Sequence, residues 1–204
     1  MITKIYFRVI RVSTEQDLEI FQRFVYEKYC FREGYLKPED YPSGKVTDEF
    51  DQHSSHFLLY APDSDNLAGT FRIVPHSKEH GLPIQKVFDL PNIDPRNFCE
   101  ITRVISDKYK NSIGASSDSG KSVIFEAVRY TVVFCKQNNL KGWISMVDLR
   151  AFIKTNLIFK NTLIPLSPPI FYEGGWTMPA ALEISKFFSA LKEHDPQLLQ
   201  CFED

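Results

Sequence analysis

Residues 98–106 read Phe98-Cys-Glu-Ile-Thr-Arg-Val-Ile-Ser106, and residues 142–148 read Gly142-Trp-Ile-Ser-Met-Val-Asp148. The first run is rich in β-branched residues. The second is apolar at both sets of alternating positions, as in a strand buried on both faces. Between them lie a Gly/Ser-rich loop and the stretch Ser122–Gln137, where Val123, Ala127, Tyr130 and Phe134 fall on one helical face. A strand–helix–strand unit therefore occupies the middle of the chain.

On the amino-terminal side, Ser55–Tyr60 and Leu67–Val74 read as two strands joined by the turn Pro62-Asp-Ser-Asp-Asn66. Before them, Lys4–Val12 alternates as a strand. Thr14 then caps a helix whose buried face holds Leu18, Phe21, Val25 and Tyr29. Lys37–Asp51 is a polar, proline-containing loop. On the carboxyl-terminal side, Arg150–Asn156 is expected to be a short helix. Leu157–Ile184 should hold two strands about Gly174-Gly175, and Ser185 should cap a closing helix that runs to Leu199. A strand meander followed by a strand–helix–strand unit predicts an α/β (α+β) fold, a mixed central sheet with helices on both faces. It is not the regular alternation of a doubly wound dinucleotide fold.

With 204 residues, 43% of them hydrophobic, the chain can bury one core, and a single domain over 1–204 is expected. Seventeen Phe and nine Tyr exceed what that core requires, so some could line a pocket. A net charge of −2 without a basic run argues against a nucleic-acid partner. Cys30, Cys99, Cys135 and Cys201 lack the paired spacing of a zinc or redox motif and read as reduced thiols. The alternating start is not a signal peptide, and no window is long enough to span a bilayer, so a cytoplasmic protein without a membrane span is expected.

Three constellations could carry chemistry. Gly114-Ala-Ser-Ser-Asp-Ser-Gly120-Lys121-Ser122 imitates a P-loop but has five residues between its glycines where four are required. It can still receive an anion at a helix start, near Gly120 and Lys121. Asp48-Glu-Phe-Asp51, with His53 and His56 behind it, is acidic enough to suggest a divalent metal, yet no matching ligand pair follows. A solvated loop is preferred to a metal site, and a carboxylate that binds a substrate ammonium is the better functional reading. Finally, Glu100 and Arg103 lie within an otherwise apolar strand, and Arg72 raises the same question in Gly69-Thr-Phe-Arg72-Ile-Val74. A carboxylate and guanidiniums in core strands are costly unless paired or functional. A structural Glu100–Arg72 salt bridge and a functional site are both open.

These residues also carry a family resemblance. Tyr29-Cys-Phe-Arg-Glu-Gly34-Tyr35-Leu36, Pro38-Glu-Asp-Tyr-Pro42, Thr47-Asp48-Glu-Phe-Asp51-Gln-His-Ser54 and His56-Phe57-Leu58 come first. Gly69-Thr-Phe-Arg72-Ile-Val74, Leu82-Pro83-Ile84 with Phe88, and Glu100-Ile-Thr-Arg103 follow in order. Together they resemble acyltransferases associated with the PEP-CTERM/exosortase system. Those are related to long-chain N-acyl amino acid synthases and, more distantly, to acyl-homoserine-lactone (autoinducer) synthases of the N-acetyltransferase (GNAT) superfamily. The likeness is dense from about residue 20 to 110. It implies a GNAT-like acyl-CoA N-acyltransferase fold, with Asp48 and Asp51 as the acid-x-x-acid pair, Arg72 as the arginine of the Gly-Thr-x-Arg strand, and Glu100 and Arg103 as the Glu-x-x-Arg strand. The sequence departs from the family where an Arg-Tyr pair should precede the first motif: Val25-Tyr26 stands there, with Arg23 out of register.

The resemblance implies an N-acyltransferase that moves a long acyl group from acyl-CoA or an acyl carrier protein to a small amine such as an amino acid, without a metal. Glu100 would accept the amine's proton, directly or through a water, and Arg103 or Arg72 would hold the glutamate ionised or bind a substrate carboxylate. Asp48 and Asp51 would attract the ammonium. Backbone N–H groups between Val104 and Ser106 would hold the pantetheine arm, and its phosphate would approach Gly120 and Lys121. The alternatives are an acyl-homoserine-lactone synthase that uses S-adenosylmethionine and a non-catalytic acyl-thioester or lipid-binding protein.

Overall fold

A computed structural model describes residues 7–62, 64–107 and 119–203, apart from the side chains of 119–122. In chain order the elements are β1 (Arg8–Arg11), α1 (Glu15–Tyr26) with a π-helical turn over Glu27–Arg32, β2 (Ser55–Tyr60), β3 (Leu67–Pro75), β4 (Phe98–Ser106), α2 (Ser119–Gln137), β5 (Gly142–Asp148), α3 (Leu149–Ile158), β6 (Ile164–Pro165), β7 (Ile170–Tyr172), β8 (Gly175–Glu183), α4 (Ile184–His194) and α5 (Pro196–Leu199). The elements fall into two compact units. One takes the described residues of Met1–Arg72 and Arg103–Glu126, and the other those of Ile73–Thr102 and Ala127–Asp204.

In the first unit the strand order is β1-β2-β3-β4, with β1 antiparallel to β2 from Arg8↔Tyr60 to Arg11↔Phe57. Thr14 caps α1 by accepting a hydrogen bond from the Asp17 amide at 3.1 Å, as its position before an apolar-periodic run predicts. The buried face of α1 delivers Phe21, Phe24 and Val25 to a core shared with Val46, Leu58 and Ile105. Phe57 and Phe71 stack at 4.4 Å. Gly69 is required by close approach: a Cβ there would meet the Ile105 carbonyl oxygen at 2.6 Å.

In the second unit β5 runs parallel to β4 from Phe98↔Gly142 to Glu100↔Ile144 and antiparallel to β8 along its whole length. Parallel neighbours need a crossover connection, and α2 lies in it. The sheet is therefore mixed, as expected. Leu82, Ile84 and Phe88 pack with Phe98, Ile144 and Ala181. Trp143, 2% exposed and edge-on to Phe187, is part of the packing.

Three expectations change at the carboxyl-terminal end. The region after Leu157 holds three strands, because Ile164–Pro165 and Ile170–Tyr172 each pair with β8. Ser185 is not a cap: α4 starts after Glu183 without a side-chain cap, leaving Ser185 in its first turn. The closing helix stops at His194. Pro196, which lacks an N–H, starts a separate turn capped by Asp195 through the Leu198 amide at 3.1 Å.

Candidate active site

The loop before β2 folds so that two acids three residues apart face one way. Asp48 Oδ1 accepts from the Phe50 amide at 3.0 Å, and the Asp51 amide donates to the Asp48 carbonyl at 3.2 Å. Phe50, 2% exposed, pins the loop to the core. The expected solvated loop is thus corrected: Asp51's side chain is only 8% exposed, against 26% for Asp48.

Opposite this turn stand two arginines from neighbouring strands. Arg72 Nη1 donates to Asp48 Oδ1 and Asp51 Oδ1, both at 2.7 Å. Arg103 bridges the same acids, Nη1 to Asp51 Oδ1 at 3.0 Å and Nη2 to Asp48 Oδ2 at 2.9 Å. Two positive and two negative charges therefore compensate one another inside the first unit.

Two residues complete the cluster without having been assigned to it. His56, second residue of β2, sets Nε2 at 3.1 Å from Asp51 Oδ1, and its ring meets Phe21 edge-on at 4.7 Å. Gln22 of α1 donates from Nε2 to Asp51 Oδ2 at 3.1 Å. The signal for Gln22 was a buried amide beside Phe21 on an otherwise apolar helix face. For His56 it was an imidazole inside a run of buried strand residues. Burial tends to raise the pKa of Asp51, but His56 and the charges of Arg103 and Arg72 prevail and hold it well below the usual carboxylate range. Burial also opposes the charge on Arg72, yet its hydrogen bond and attraction to Asp48, with Asp51 behind, raise its pKa. Arg103 is pushed downward by burial and by the neighbouring Arg72 charge. Both guanidiniums remain cationic at any physiological pH.

Arg103 has a second peculiarity. Its φ is 52°, in the left-handed region, within β4. A non-glycine residue pays for that conformation, while burial along the strand still alternates from Ile101 to Ser106. The Thr70 hydroxyl donates to the Arg103 carbonyl at 3.2 Å, and Val104 beyond it is exposed. The Ser106 carbonyl accepts from Arg32 Nη1 at 2.8 Å.

Glu100 is described within the second unit. Its side chain is fully buried, and its Oε2 accepts from the Ile84 amide at 2.8 Å, which fixes the carboxylate's direction. Cys99 and Cys135 lie 3.5 Å apart, sulfur to sulfur, with the Gly142 carbonyl at 3.3 Å from Cys135 Sγ. Burial, reinforced by Cys135, pushes the Cys99 thiol well up, so it is a packed thiol and a poor nucleophile. Gly120 and Lys121 fall in the first turn of α2, which starts at Ser119. Their side-chain environment, and the loop before them, lie outside the described residues. Among the described residues, no group of three or more His, Cys, Asp and Glu could hold a metal ion, and no helix is long and apolar enough to cross a membrane.

Comparison with known proteins agrees with this architecture. By structure, the chain is similar to BjaI, a CoA-dependent acyl-homoserine lactone synthase solved with SAM and isopentyl-CoA. The TM-score is 0.67 at 16% identity, covering 92% of this chain and 89% of that one. FeeM, an N-acyl amino acid synthase from uncultured soil microbes, superimposes with a TM-score of 0.63 at 12% identity over 93% of this chain and 97% of that one. The acyl-homoserine lactone synthase LasI gives 0.63 at 14% identity over 88% and 91%. No curated protein matches by sequence. The family model of the N-acyl amino acid synthase FeeM matches residues 21–155, a span that contains Asp48, Asp51, Arg72, Glu100 and Arg103. The chain therefore belongs to the FeeM family of N-acyl amino acid synthases and is an N-acyltransferase.

Proposed function

We propose that this enzyme joins a long acyl group, delivered as a thioester on an acyl carrier protein or CoA, to the amine of an amino acid. The observation that carries the reading is the cluster of Asp48, Asp51, Arg72 and Arg103 inside a family of N-acyl amino acid synthases. Charges this well compensated are preorganised, and reorienting them during a reaction would cost energy.

An ammonium has no lone pair, so the incoming amine must lose a proton before it attacks. Glu100 accepts that proton, directly or through a water, and the Ile84 amide that binds its other face keeps it oriented. The amine nitrogen then attacks the thioester carbonyl and becomes cationic. The tetrahedral intermediate collapses with breakage of the C–S bond, and the second proton that the nitrogen sheds goes to the departing thiolate. Asp48, the more exposed acid of the pair, attracts the ammonium. Asp51, Arg72 and Arg103 are positioning residues that hold Asp48 in place. The backbone turn at Arg103 supports giving the amides between Val104 and Ser106 the pantetheine arm and the developing oxyanion, where one donor is worth about 3 kcal/mol. The first turn of α2, at Gly120 and Lys121, receives the carrier's phosphate. Residues 1–204 act as one catalytic domain in the cytoplasm, in the PEP-CTERM/exosortase setting that the early motifs resemble.

The test is incubation with acyl-CoA or acyl carrier protein and a panel of amino acids, with products weighed by mass spectrometry. Acylated amino acids are expected. The likeness to BjaI, solved with SAM, supports a second reading as a lactone-forming synthase. Acyl-homoserine lactone from S-adenosylmethionine, with every amino acid refused, would establish that reading instead.

A further inference from the structure

The second unit exposes apolar surface that neither its core nor the proposed chemistry uses. Leu149, Ile153 and Leu157 recur every four residues on α3 and are 36%, 58% and 73% exposed. Successive steps of four turn only about 40° around a helix, so the three side chains form one narrow stripe. α3 packs against β5 and β8, and the stripe lies on its outward side. β8 pairs with β7, whose hairpin presents Phe171 and Trp176, 64% and 56% exposed, with rings 6.0 Å apart. The charge on α3 and the loop after it is positive, whereas the hairpin turn carries one exposed acid, Glu173. Residues 149–172 carry Arg150, Lys154 and Lys160 and no acid, Lys160 being paired with Asp195 at 3.1 Å, although the protein as a whole is at −2. Arg150 and Lys154 are exposed and flank the stripe on α3.

We propose that α3 and the β7–β8 hairpin seat the enzyme on an anionic lipid surface. An exposed aliphatic stripe bordered by cations is the pattern of a helix that lies in a bilayer interface, and Trp with Phe is favoured at the same depth. An acidic protein partner would be bound mainly through charge. Here large apolar groups outnumber the exposed cations, which favours lipid. Such a seat would suit an enzyme whose acyl product is itself amphiphilic. The inference does not depend on the residue roles proposed above, because none of these side chains takes part in them.

The experiment is flotation of the full chain with vesicles of phosphatidylcholine alone or mixed with phosphatidylglycerol. Binding to the anionic vesicles, weakened by salt, is expected. Ile153→Glu combined with Leu157→Glu should weaken it about tenfold or more while leaving turnover of a water-soluble short-chain acyl-CoA unchanged. Arg150→Glu with Lys154→Glu should remove the preference for anionic vesicles. A readout that needs no variant comes from the two tryptophans: Trp176 is exposed and Trp143 is buried, so brominated lipids should quench the wild-type emission through Trp176. The proposal is overturned by absent quenching or by equal flotation of wild type and the glutamate pair. It is equally overturned if the stripe proves to hold a second copy, with the glutamate pair converting a lipid-indifferent dimer to monomer. Binding of a carrier protein at this face by a wild type that ignores vesicles would also overturn it.

Discussion

Asp48 and Asp51 share two arginine partners, yet they should answer differently to the same substitution. Asp51 takes bonds from Arg72, Arg103 and Gln22 and lies against His56, in a nearly sealed setting. Asp51→Asn leaves two buried guanidiniums short of charge, which costs about 3–5 kcal/mol on the scale of a broken buried pair. Asp48 is more open to solvent. Asp48→Asn should therefore cost less stability while raising KM for the amine more than it lowers kcat. Denaturant melts and steady-state kinetics on the two variants check this, and equal losses of stability with no change in KM would remove the proposed role of Asp48. Glu100→Gln keeps the bond from the Ile84 amide but cannot accept a proton. Its kcat should fall about 10²–10⁴-fold, the span of a lost general base, and wild-type turnover by this variant would eliminate Glu100 as the base.

Among the elements, β4 carries the most information. Its bounds, Phe98–Ser106, coincide with those read from its β-branched residues, as do those of β2 and β5. From Ile101 on, burial along it alternates, with Ile101, Arg103 and Ile105 buried and Thr102, Val104 and Ser106 more exposed. The left-handed backbone at Arg103 is a different matter, and nothing in the Glu-Ile-Thr-Arg spelling announces it. β3 is held close to β4 by Gly69. Gly69→Ala pushes a methyl into the Ile105 carbonyl, a backbone atom that cannot swing aside, and should destabilise by about 1–3 kcal/mol as overpacking does. Thermal denaturation measures it, and a variant as stable as wild type would show that the two strands can separate at no cost. The end of α3 nearest β5 was legible in part: Asp148 closes the strand and caps the helix, accepting from the Arg150 and Ala151 amides at 2.8 Å.

At the scale of the whole molecule, the ion cluster makes stability depend on acid. The pKa of Asp51 is depressed in the folded chain, so its contribution is fully present above its unfolded value near 3.9 and disappears as pH falls toward the folded one. Unfolding free energy should hence be flat with respect to this group at neutral pH and decline below about pH 4. Asp51→Asn should remove part of that decline. Urea melts from pH 7 down to pH 3 test it, and identical pH slopes in the two proteins would place the acid sensitivity elsewhere. The cluster's arginines lie at the boundaries of the first unit: β3 leaves it after Arg72, and β4 enters it at Arg103.

By itself the sequence determined the element types, the mixed sheet and the shortlist of ionic residues. Those depend on local periodicity and on the cost of placing charge in an apolar strand, and both are written in neighbouring letters. It could not determine who pairs with whom. Asp51 finds Arg103 fifty-two positions away, Gln22 arrives from a helix face, and Arg72 is matched by acids from a loop. Only folding sets such distances, because an ion pair's energy depends on separation and burial, and the chain encodes neither until its strands are in register.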